Sequence, residues 1–320
     1  MYLVFDVGAT FVKYGWMTID GVIEEKGKIP TPNKIGDGVE DFVSTIGNIY
    51  DTYKEKGTVE GIAMGLPGQI DVEKGIVYGG GGLMYLDQVA VGDLLSQRCD
   101  GVKVSLENDG KCAALAEVWL GNAKDVQDAC VVVLGTGIGG GIIKDRKVHR
   151  GNRLLAGELS YCLQDMTRDH LDNIQSEDVL NTVMERFAQV PFLQNAKCST
   201  SGLTYLVAVA KGLPVEEVDG EKIYRWAAEG DQVCIDILED MYFSIAKLCI
   251  NLYVMFDPDI ILIGGGISAE PRLLEGVQRY VDKIKIHSKI YSGLQLDVCK
   301  FLNDSNLLGA LYNFKQMYHV

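Results

Sequence analysis

A glycine-rich stretch at residues 131–143, VVVLGTGIGGGII, constrains the fold of this chain more than any other feature. Apolar, mostly β-branched residues run into five glycines and a threonine, and isoleucines follow them. The apolar start predicts a buried strand. The glycines lack a Cβ, so a ligand can approach the backbone and positive φ is allowed. Because such a turn after a buried strand commonly holds phosphate through backbone N–H groups, the stretch indicates an α/β nucleotide-binding protein.

The spacing Gly135-x-Gly137-x-x-Gly140 also matches the fingerprint of an NAD-binding Rossmann unit. That unit requires a helix to begin at the last glycine. Here Ile142-Ile143-Lys144 and a polar turn follow, which is typical of a strand and a hairpin. The acidic residue expected about 20 residues further on would be near Glu158, which we predict to lie in a loop. We therefore favour a β-hairpin whose turn binds phosphates.

The charge and cysteine content limit the partners and the compartment. The 320 residues include 44 Asp and Glu against 30 Lys and Arg, and the net charge of −14 disfavours nucleic acid or an anionic membrane as partner. Neither a signal sequence nor an apolar run of about 18 residues is visible, so we expect no membrane span and a cytoplasmic protein. The eight cysteines are scattered without C-x-x-C pairs. They favour buried thiols in a reducing compartment and no zinc cluster.

The apolar periodicity predicts alternating strands and helices and an internal repeat. A strand, a small-residue turn, a second strand, a turn and a third strand occupy residues 2–24, and the same order recurs at residues 131–148. Two similar α/β lobes fit this order, and the length suggests about two domains. The predicted strands are 2–7, 11–19, 22–24, 59–66, 102–106, 131–134, 138–144, 147–148, 260–263 and about 294–301. The predicted helices are 37–56, 89–97, 111–120, most of 176–253 with breaks at 191, 199–202 and 214, then 271–284 and 307–318.

A second small-residue turn, Asp6-x-Gly8-x-Thr10, is the natural partner of the glycine stretch. Backbone N–H groups at residues 8–10 and 135–137 would hold a triphosphate from both sides, since phosphoryl transfer requires mainly positioning and charge neutralisation. Asp6 at a strand end would hold Mg²⁺ directly or through water, and Lys13 would face the same phosphates. An ordinary hairpin turn at Asp6 is the alternative.

Asp109 is the candidate general base for an acceptor hydroxyl. It ends one predicted strand and starts a helix, where we expect the helix dipole to favour its ionised form. The alternatives are plain structural roles: a helix N-cap for Asp109, a solvated loop charge for Glu158, core packing for Tyr161 and a strand-to-helix connection for Gly264–Gly266.

Six motifs with glycines or carboxylates follow one another in one order. They are DVGATFVKYG at 6–15, GLPG at 65–68, END with AALAE at 107–117, LGTGIGGG at 134–141, AGELSY at 156–161 and DPDIILIGGGIS at 257–268. In this order they resemble the motifs of the ROK family of sugar kinases and repressors, within the actin/hexokinase-like superfamily. The resemblance covers nearly the whole chain.

This resemblance implies an α/β fold of two actin/hexokinase-like (ribonuclease H-like) lobes with a nucleotide and sugar cleft between them. The smaller lobe would comprise residues 1–117 plus 305–320 and the larger one residues 118–304. The implied activity is ATP- and Mg²⁺-dependent transfer of the γ-phosphate to a sugar hydroxyl, O6 being expected, of a hexose, an N-acetylhexosamine or a β-glucoside. The family also implies a homodimer.

The resemblance implies a role for individual residues. Asp109 would be the general base, and Asp6 would hold Mg²⁺, through water. The implied nucleotide-binding residues are Asp6, Gly8, Thr10, Lys13, Gly135, Thr136, Gly137, Gly264, Gly265 and Gly266. The implied substrate-binding residues are Gly68, Asn108, Asp109, Glu158 and Tyr161.

The chain departs from the family pattern after Glu158. Tyr161 stands where zinc-binding members have a histidine, and CLQD at 162–165 replaces their cysteine run. We therefore predict no zinc site and a closer similarity to the zinc-less branch with β-glucoside kinases and N-acetylmannosamine kinases. A non-catalytic sugar-sensing protein of the same fold is the alternative. A DNA-binding repressor conflicts with the negative charge and with a sequence that reaches Asp6 without a preceding DNA-binding module.

Overall fold

The computed structural model describes residues 1–169, 190 and 193–320. The strands are β1 Tyr2–Val7, β2 Phe11–Met17, β3 Ile23–Pro30, β4 Gly61–Leu66, β5 Gln69–Asp71, β6 Ile76–Tyr78, β7 Val104–Asn108, β8 Ala129–Leu134, β9 Ile138–Lys144, β10 Lys147–Val148, β11 Ile260–Gly264 and β12 Leu296–Val298. The α-helices are α1 Val39–Lys54, α2 Val91–Arg98, α3 Asp109–Leu120, α4 Gln194–Cys198, α5 Thr200–Lys211, α6 Gly220–Ala228, α7 Gln232–Phe256, α8 Pro271–Lys285 and α9 Ser305–Tyr318. Within this part of the chain, none of the helices has the length and apolar character needed to cross a membrane.

Two five-stranded sheets repeat one topology. Their strand orders are β3-β2-β1-β4-β7 and β10-β9-β8-β11-β12. In each sheet an antiparallel hairpin, β1–β2 or β8–β9, continues into a parallel neighbour, β4 or β11. The central strand β1 is buried along its whole length, as its continuous apolar sequence predicts. The predicted repeat of residues 2–24 at residues 131–148 is therefore confirmed.

Helix α3 lies between the two sheets and is buried on nearly all sides. Cys112 and Ala116 belong to the core of the first sheet, whereas Leu115 and Val118 pack with Val131 of the second. Helix α3 therefore has apolar neighbours on both sides.

Close packing holds α3 in this position. A Cβ on Gly141 of β9 would come within 2.4 Å of the Ala114 Cβ, and a Cβ on Gly309 of α9 would come within 1.7 Å of the Cys112 carbonyl oxygen. Glycines at these points let β9 and α9 touch the α3 backbone. Because α3 begins with Asp109, this packing fixes the candidate general base.

Most predicted elements are present with shifted ends. The ribbon β5–β6 was not predicted, since its strands are only three residues long. The predicted break at 199–202 is limited to Ser199, which caps α5 by accepting a hydrogen bond from the Gly202 N–H at 3.0 Å. The predicted break at 214 is confirmed, since it lies between α5 and α6. A further break precedes α7, and Asp219 and Asp231 are the N-caps of α6 and α7. The predicted break at 191 and the helix over 176–189 lie outside the described residues.

The cysteines behave as the sequence indicates. All eight are free thiols, and only Cys162 is not buried. Burial raises the pKa of thiols such as Cys130 to about 12. These side chains therefore contribute to the core as small apolar groups.

Candidate active site

Asp6 lies near the end of β1 and is buried. Its Oδ2 accepts a hydrogen bond from Lys13 Nζ at 3.2 Å, and its Oδ1 accepts one from Asn306 Nδ2 at 2.9 Å. Lys13 reaches Asp6 because the two residues are paired across β1 and β2. Asn306 was not predicted, since it lies 300 residues away in the sequence and no motif marks it. Asp6 is thus more than a hairpin-turn residue: it is a buried anion fixed by two donors.

Asp109 is the first residue of α3, and Asn108 is the N-cap. The Asn108 Oδ1 accepts from the Lys111 N–H at 3.1 Å, and its Nδ2 donates to the Gly68 carbonyl at 3.0 Å. Asp109 Oδ1 accepts from its neighbour Gly110 N–H at 2.8 Å. The N-cap alternative for Asp109 is therefore wrong, because Asn108 caps the helix. The same side chain also binds the Gly68 carbonyl and so holds that loop beside the site.

Burial raises the pKa of Asp109 to about 6, and the nearby charges of Asp6 and Glu158 act in the same direction. The Gly110 N–H and the Lys111 ammonium oppose this shift. The expectation that the helix dipole favours the ionised form is thus wrong in its net direction, because desolvation and two carboxylates outweigh it. A carboxylate whose pKa approaches neutrality is suited to accept a proton.

Glu158 is held by a buried lysine. Its Oε1 accepts from Lys111 Nζ at 2.8 Å, and Lys111 is only 2% exposed. The alternative of a solvated loop charge is therefore wrong. Tyr161 follows at the end of a short 3-10 turn, and 57% of it is exposed, which contradicts a core role. Burial of its hydroxyl end and the charge of Glu158 raise the pKa of Tyr161, so the two side chains are near one another.

A second buried ion pair supports the end of β7. Arg150 Nε donates to Glu107 Oε2 at 3.0 Å, and Arg150 Nη2 donates to the same oxygen and to Asn313 Oδ1. Glu107 also accepts from the Asn108 N–H at 2.9 Å. Arg150 therefore ties the loop before Glu158 to the strand that carries Asn108. No sequence signal marks this pair, since Arg150 lies outside the six motifs.

The two predicted phosphate turns are partly accessible and are fixed from behind. Residues 8–10 are exposed, while Thr31 Oγ1 donates to the Gly8 carbonyl at 2.7 Å. In the second turn, the Gly135 carbonyl accepts from the N–H and the Oγ1 of Thr200 at 2.8 and 2.7 Å, and the Thr136 carbonyl accepts from Ser201 Oγ. Carbonyls directed toward α5 leave the opposite side of this turn to a ligand.

Three glycine segments meet around the strand ends. A Cβ on Gly110 would lie 2.8 Å from the Gly140 nitrogen, so the start of α3 touches the hairpin β8–β9. Gly265 has a φ of +93°, and a Cβ there would lie 2.1 Å from the Leu134 carbonyl oxygen. The segment Gly264–Gly266 connects β11 to the helical segment that follows, as the structural alternative expects, and it also adjoins the end of β8 next to the 135–137 turn. Strand β9 contains Gly139, Gly140 and Gly141 and no helix begins at Gly140, so the Rossmann alternative is wrong.

The donor set around Asp6 limits which metal the site could take. Among residues 1–169, 190 and 193–320, no group of three or more His, Cys, Asp or Glu side chains is arranged to hold a metal ion. Asp6 offers one carboxylate, and both of its oxygens already accept hydrogen bonds. Mg²⁺ keeps several waters and binds through one or two carboxylates plus substrate phosphates. A magnesium ion that reaches Asp6 through water fits this arrangement.

Comparison with known proteins decides the family. A sequence model described as the ROK family matches residues 2–317. This chain belongs to the ROK family. The ROK protein is 31% identical over 316 residues to a beta-glucoside kinase of Klebsiella pneumoniae, an alignment that covers 98% of this chain and 96% of the relative.

Solved structures extend the comparison. A ROK family protein from Streptococcus pneumoniae in complex with sucrose has a TM-score of 0.81 and 29% identity, with 99% of each chain covered. A ROK family glucokinase from Streptomyces griseus, in complex with glucose and AMPPNP, has a TM-score of 0.76 and 23% identity, with 97% of each chain covered. The expected α/β fold with two actin/hexokinase-like lobes is confirmed.

Proposed function

We propose that this ROK protein transfers the γ-phosphate of ATP to a sugar hydroxyl, O6 being expected, with Asp109 as the general base. The family and the sugar-kinase relatives that match nearly the whole chain make it an ATP-dependent carbohydrate kinase. The observation that carries the role of Asp109 is its position: a half-buried carboxyl at the start of α3, with a pKa raised to about 6, beside the phosphate turns.

The nucleotide is proposed to lie across the strand ends. The turns at residues 8–10 and 135–137 would take the phosphates, with Lys13 near them, and Gly264–Gly266 would face the adenosine. The exposure of residues 8–10 and of Thr136, together with the tight contact of Gly265 with Leu134, supports this placement. The Gly8 and Gly135 N–H groups donate to the Phe11 and Gly137 carbonyls, which leaves the other N–H groups of the two turns for the phosphates. A magnesium ion held through water at Asp6 would neutralise phosphate charge.

The sugar is proposed to lie on the other side of Asp109. Asn108 and the Gly68 loop would orient its hydroxyls, with Tyr161 at the edge of the pocket. Lys111 holds one oxygen of Glu158, which leaves the other to accept a sugar hydroxyl. Asp109 would receive the proton of the attacking hydroxyl as the bond between that oxygen and the γ-phosphorus forms and ADP leaves.

The division into lobes is also a proposal. Residues 1–117 with 305–320 would form the smaller lobe and residues 118–304 the larger one. The packing of α9 on β1 and β4 supports the assignment of the C-terminal segment to the first sheet. A homodimer and a cytoplasmic location are the corresponding expectations for the molecule in the cell.

The test is an ATP-consumption assay across hexoses, N-acetylhexosamines and β-disaccharides, with wild type and Asp109→Asn. We expect wild type to phosphorylate at least one sugar and Asp109→Asn to lose about 10²- to 10⁴-fold in kcat, because a positioned general base contributes that much. The thermal melting curve of the variant controls for folding. Near-normal turnover by Asp109→Asn would refute the role of this residue. If wild type binds a sugar yet never consumes ATP, the sugar-sensing alternative replaces the kinase.

A further inference from the structure

A polar pocket lies between two segments that adjoin the residues of the proposed sugar site. One wall is the β5–β6 ribbon with its turn, residues 69–78, and the other is the loop at residues 150–154. We call it the ribbon pocket. Its volume of about 560 Å³ lies within the range of small-molecule sites, about 300–1,000 Å³.

The ribbon pocket and the sugar site share their supports. Gln69 in its wall follows Gly68, whose carbonyl accepts the Asn108 amide at 3.0 Å. Arg150 in the opposite wall binds Glu107, the residue before Asn108, at 3.0 Å. Both walls are therefore fixed to the end of β7, where Asn108 begins the proposed sugar site.

The chemistry of the walls suits a neutral ligand rich in hydroxyl groups. The pocket is lined by two carboxylates, Asp71 and Glu73, and by two guanidinium groups, Arg150 and Arg153, so its charges balance. Asn152 adds an amide that can both donate and accept. Asp71 is held in place by the Lys74 N–H and Nζ at 3.1 and 2.9 Å. An anion such as a sugar phosphate would meet both carboxylates. Arg150 is already engaged by Glu107 and Asn313, and sugar hydroxyls can pair with Glu73, Asn152 and Arg153.

We propose that the ribbon pocket receives the second ring of a disaccharide of the β-glucoside class, while the first ring presents its hydroxyl to Asp109. This inference rests on the proposed kinase function. The γ-phosphorus would form a bond to the first-ring oxygen, the bond to the ADP oxygen would break, and the proton would pass to Asp109. The glycosidic bond stays intact. One relative is named a beta-glucoside kinase, and one related structure holds a disaccharide, sucrose.

The test compares cellobiose with glucose as phosphate acceptors. For wild type we expect kcat/KM for cellobiose to exceed that for glucose by about tenfold or more, because a second ring adds several hydrogen bonds. In Glu73→Ala and in Asn152→Ala, KM for cellobiose should rise about threefold to tenfold, with a much smaller change for glucose. Glu275→Ala, at an exposed position of α8, is the matched control. It should change KM for neither cellobiose nor glucose. Mass spectrometry of the product must show an intact phosphorylated disaccharide.

The outcomes separate this inference from the proposed function. The second-ring site is refuted if wild type phosphorylates glucose as well as or better than cellobiose. It is also refuted if Glu73→Ala and Asn152→Ala raise KM equally for both sugars. In either case the proposed kinase activity stands. If no sugar of either kind is phosphorylated, the proposed function itself fails. Selective loss on cellobiose in both ribbon variants, with the control unchanged, supports the site.

Discussion

The ammonium nitrogen of Lys111 lies 2.8 Å from Oε1 of Glu158, and almost none of Lys111 reaches solvent. A buried charge of this kind requires its partner, since a buried ion left alone is costly. The pair fixes the orientation of Glu158. It also places a positive charge near Asp109, which lies two residues before Lys111 in the first turn of α3. The position of Glu158, the proposed sugar-binding carboxylate, and the ionisation of Asp109, the proposed general base, are therefore coupled through one lysine.

Replacement of Lys111 by methionine should change both the pKa of Asp109 and the KM for the sugar. The variant keeps the length of the side chain but removes the charge that lowers the pKa of Asp109. We expect the acidic limb of kcat/KM to move to higher pH and KM for the sugar to rise, because Glu158 loses its fixed partner. Full pH profiles of Lys111→Met and of the control Lys124→Met, an exposed lysine, provide the measurement. An unshifted limb in Lys111→Met would contradict the coupling.

The wild-type enzyme should lose activity on the acidic side of neutrality. Burial raises the pKa of Asp109 to about 6, and only the ionised carboxylate can accept a proton. We expect kcat/KM to be constant from pH 7 to 8 and to fall about tenfold per unit below pH 6. Initial rates at saturating ATP between pH 5 and 8 test this expectation. A plateau that continues to pH 5 would show that Asp109 titrates like an ordinary carboxyl.

Asp109→Asn should gain stability at neutral pH while it loses activity. The folded-state pKa of about 6 exceeds the ordinary 3.8, so the folded protein binds a proton more tightly than the unfolded chain. Wild-type stability therefore falls as the pH rises from 4 to 6 and stays lower above that range. We expect the variant to be more stable by about 2–3 kcal/mol at pH 7.5, with little difference at pH 4. Urea unfolding at both values tests this, with the exposed Asp240→Asn as control. Equal stability at pH 7.5 would count against the shifted pKa.

Gly309→Ala should destabilise the protein more than an alanine placed in open helix. The added Cβ would lie 1.7 Å from the Cys112 carbonyl oxygen, so α9 must move away from α3. We expect a loss of about 2–4 kcal/mol in the free energy of unfolding. Gly220→Ala in α6 is the matched control, because nothing lies within 4 Å of its added Cβ. Equal stability of the two variants in urea would contradict the close α3–α9 contact.

The sequence predicts the elements better than their interactions. The repeat at 131–148 and the buried strand β1 follow from local patterns of apolar residues, glycines and turns, which act over a few neighbours. Asp109 and Glu158 are marked by their motifs for the same reason. The partners Asn306 and Arg150 could not be predicted, because the contacts that define them join residues far apart in the chain.

The local sequence also led to a wrong prediction for the pKa of Asp109. At the level of sequence, Asp109 has only a helix start beside it, which favours a charged carboxyl. The tertiary structure adds burial and the charges of Asp6 and Glu158, and these raise the pKa instead. The charge state of a residue depends on everything packed against it, and most of those neighbours come from other elements.

The position of α9 has a consequence for the order in which the molecule is completed. Leu307, Leu311 and Phe314 of α9 cover Tyr2 and Val4 of β1, although nearly the whole chain separates them in sequence. Ribosomes synthesise β1 early and α9 late, so this part of the first sheet's core can be completed only after nearly the whole chain has emerged. A chain shortened before α9 would therefore leave Tyr2 and Val4 without the helix that covers them.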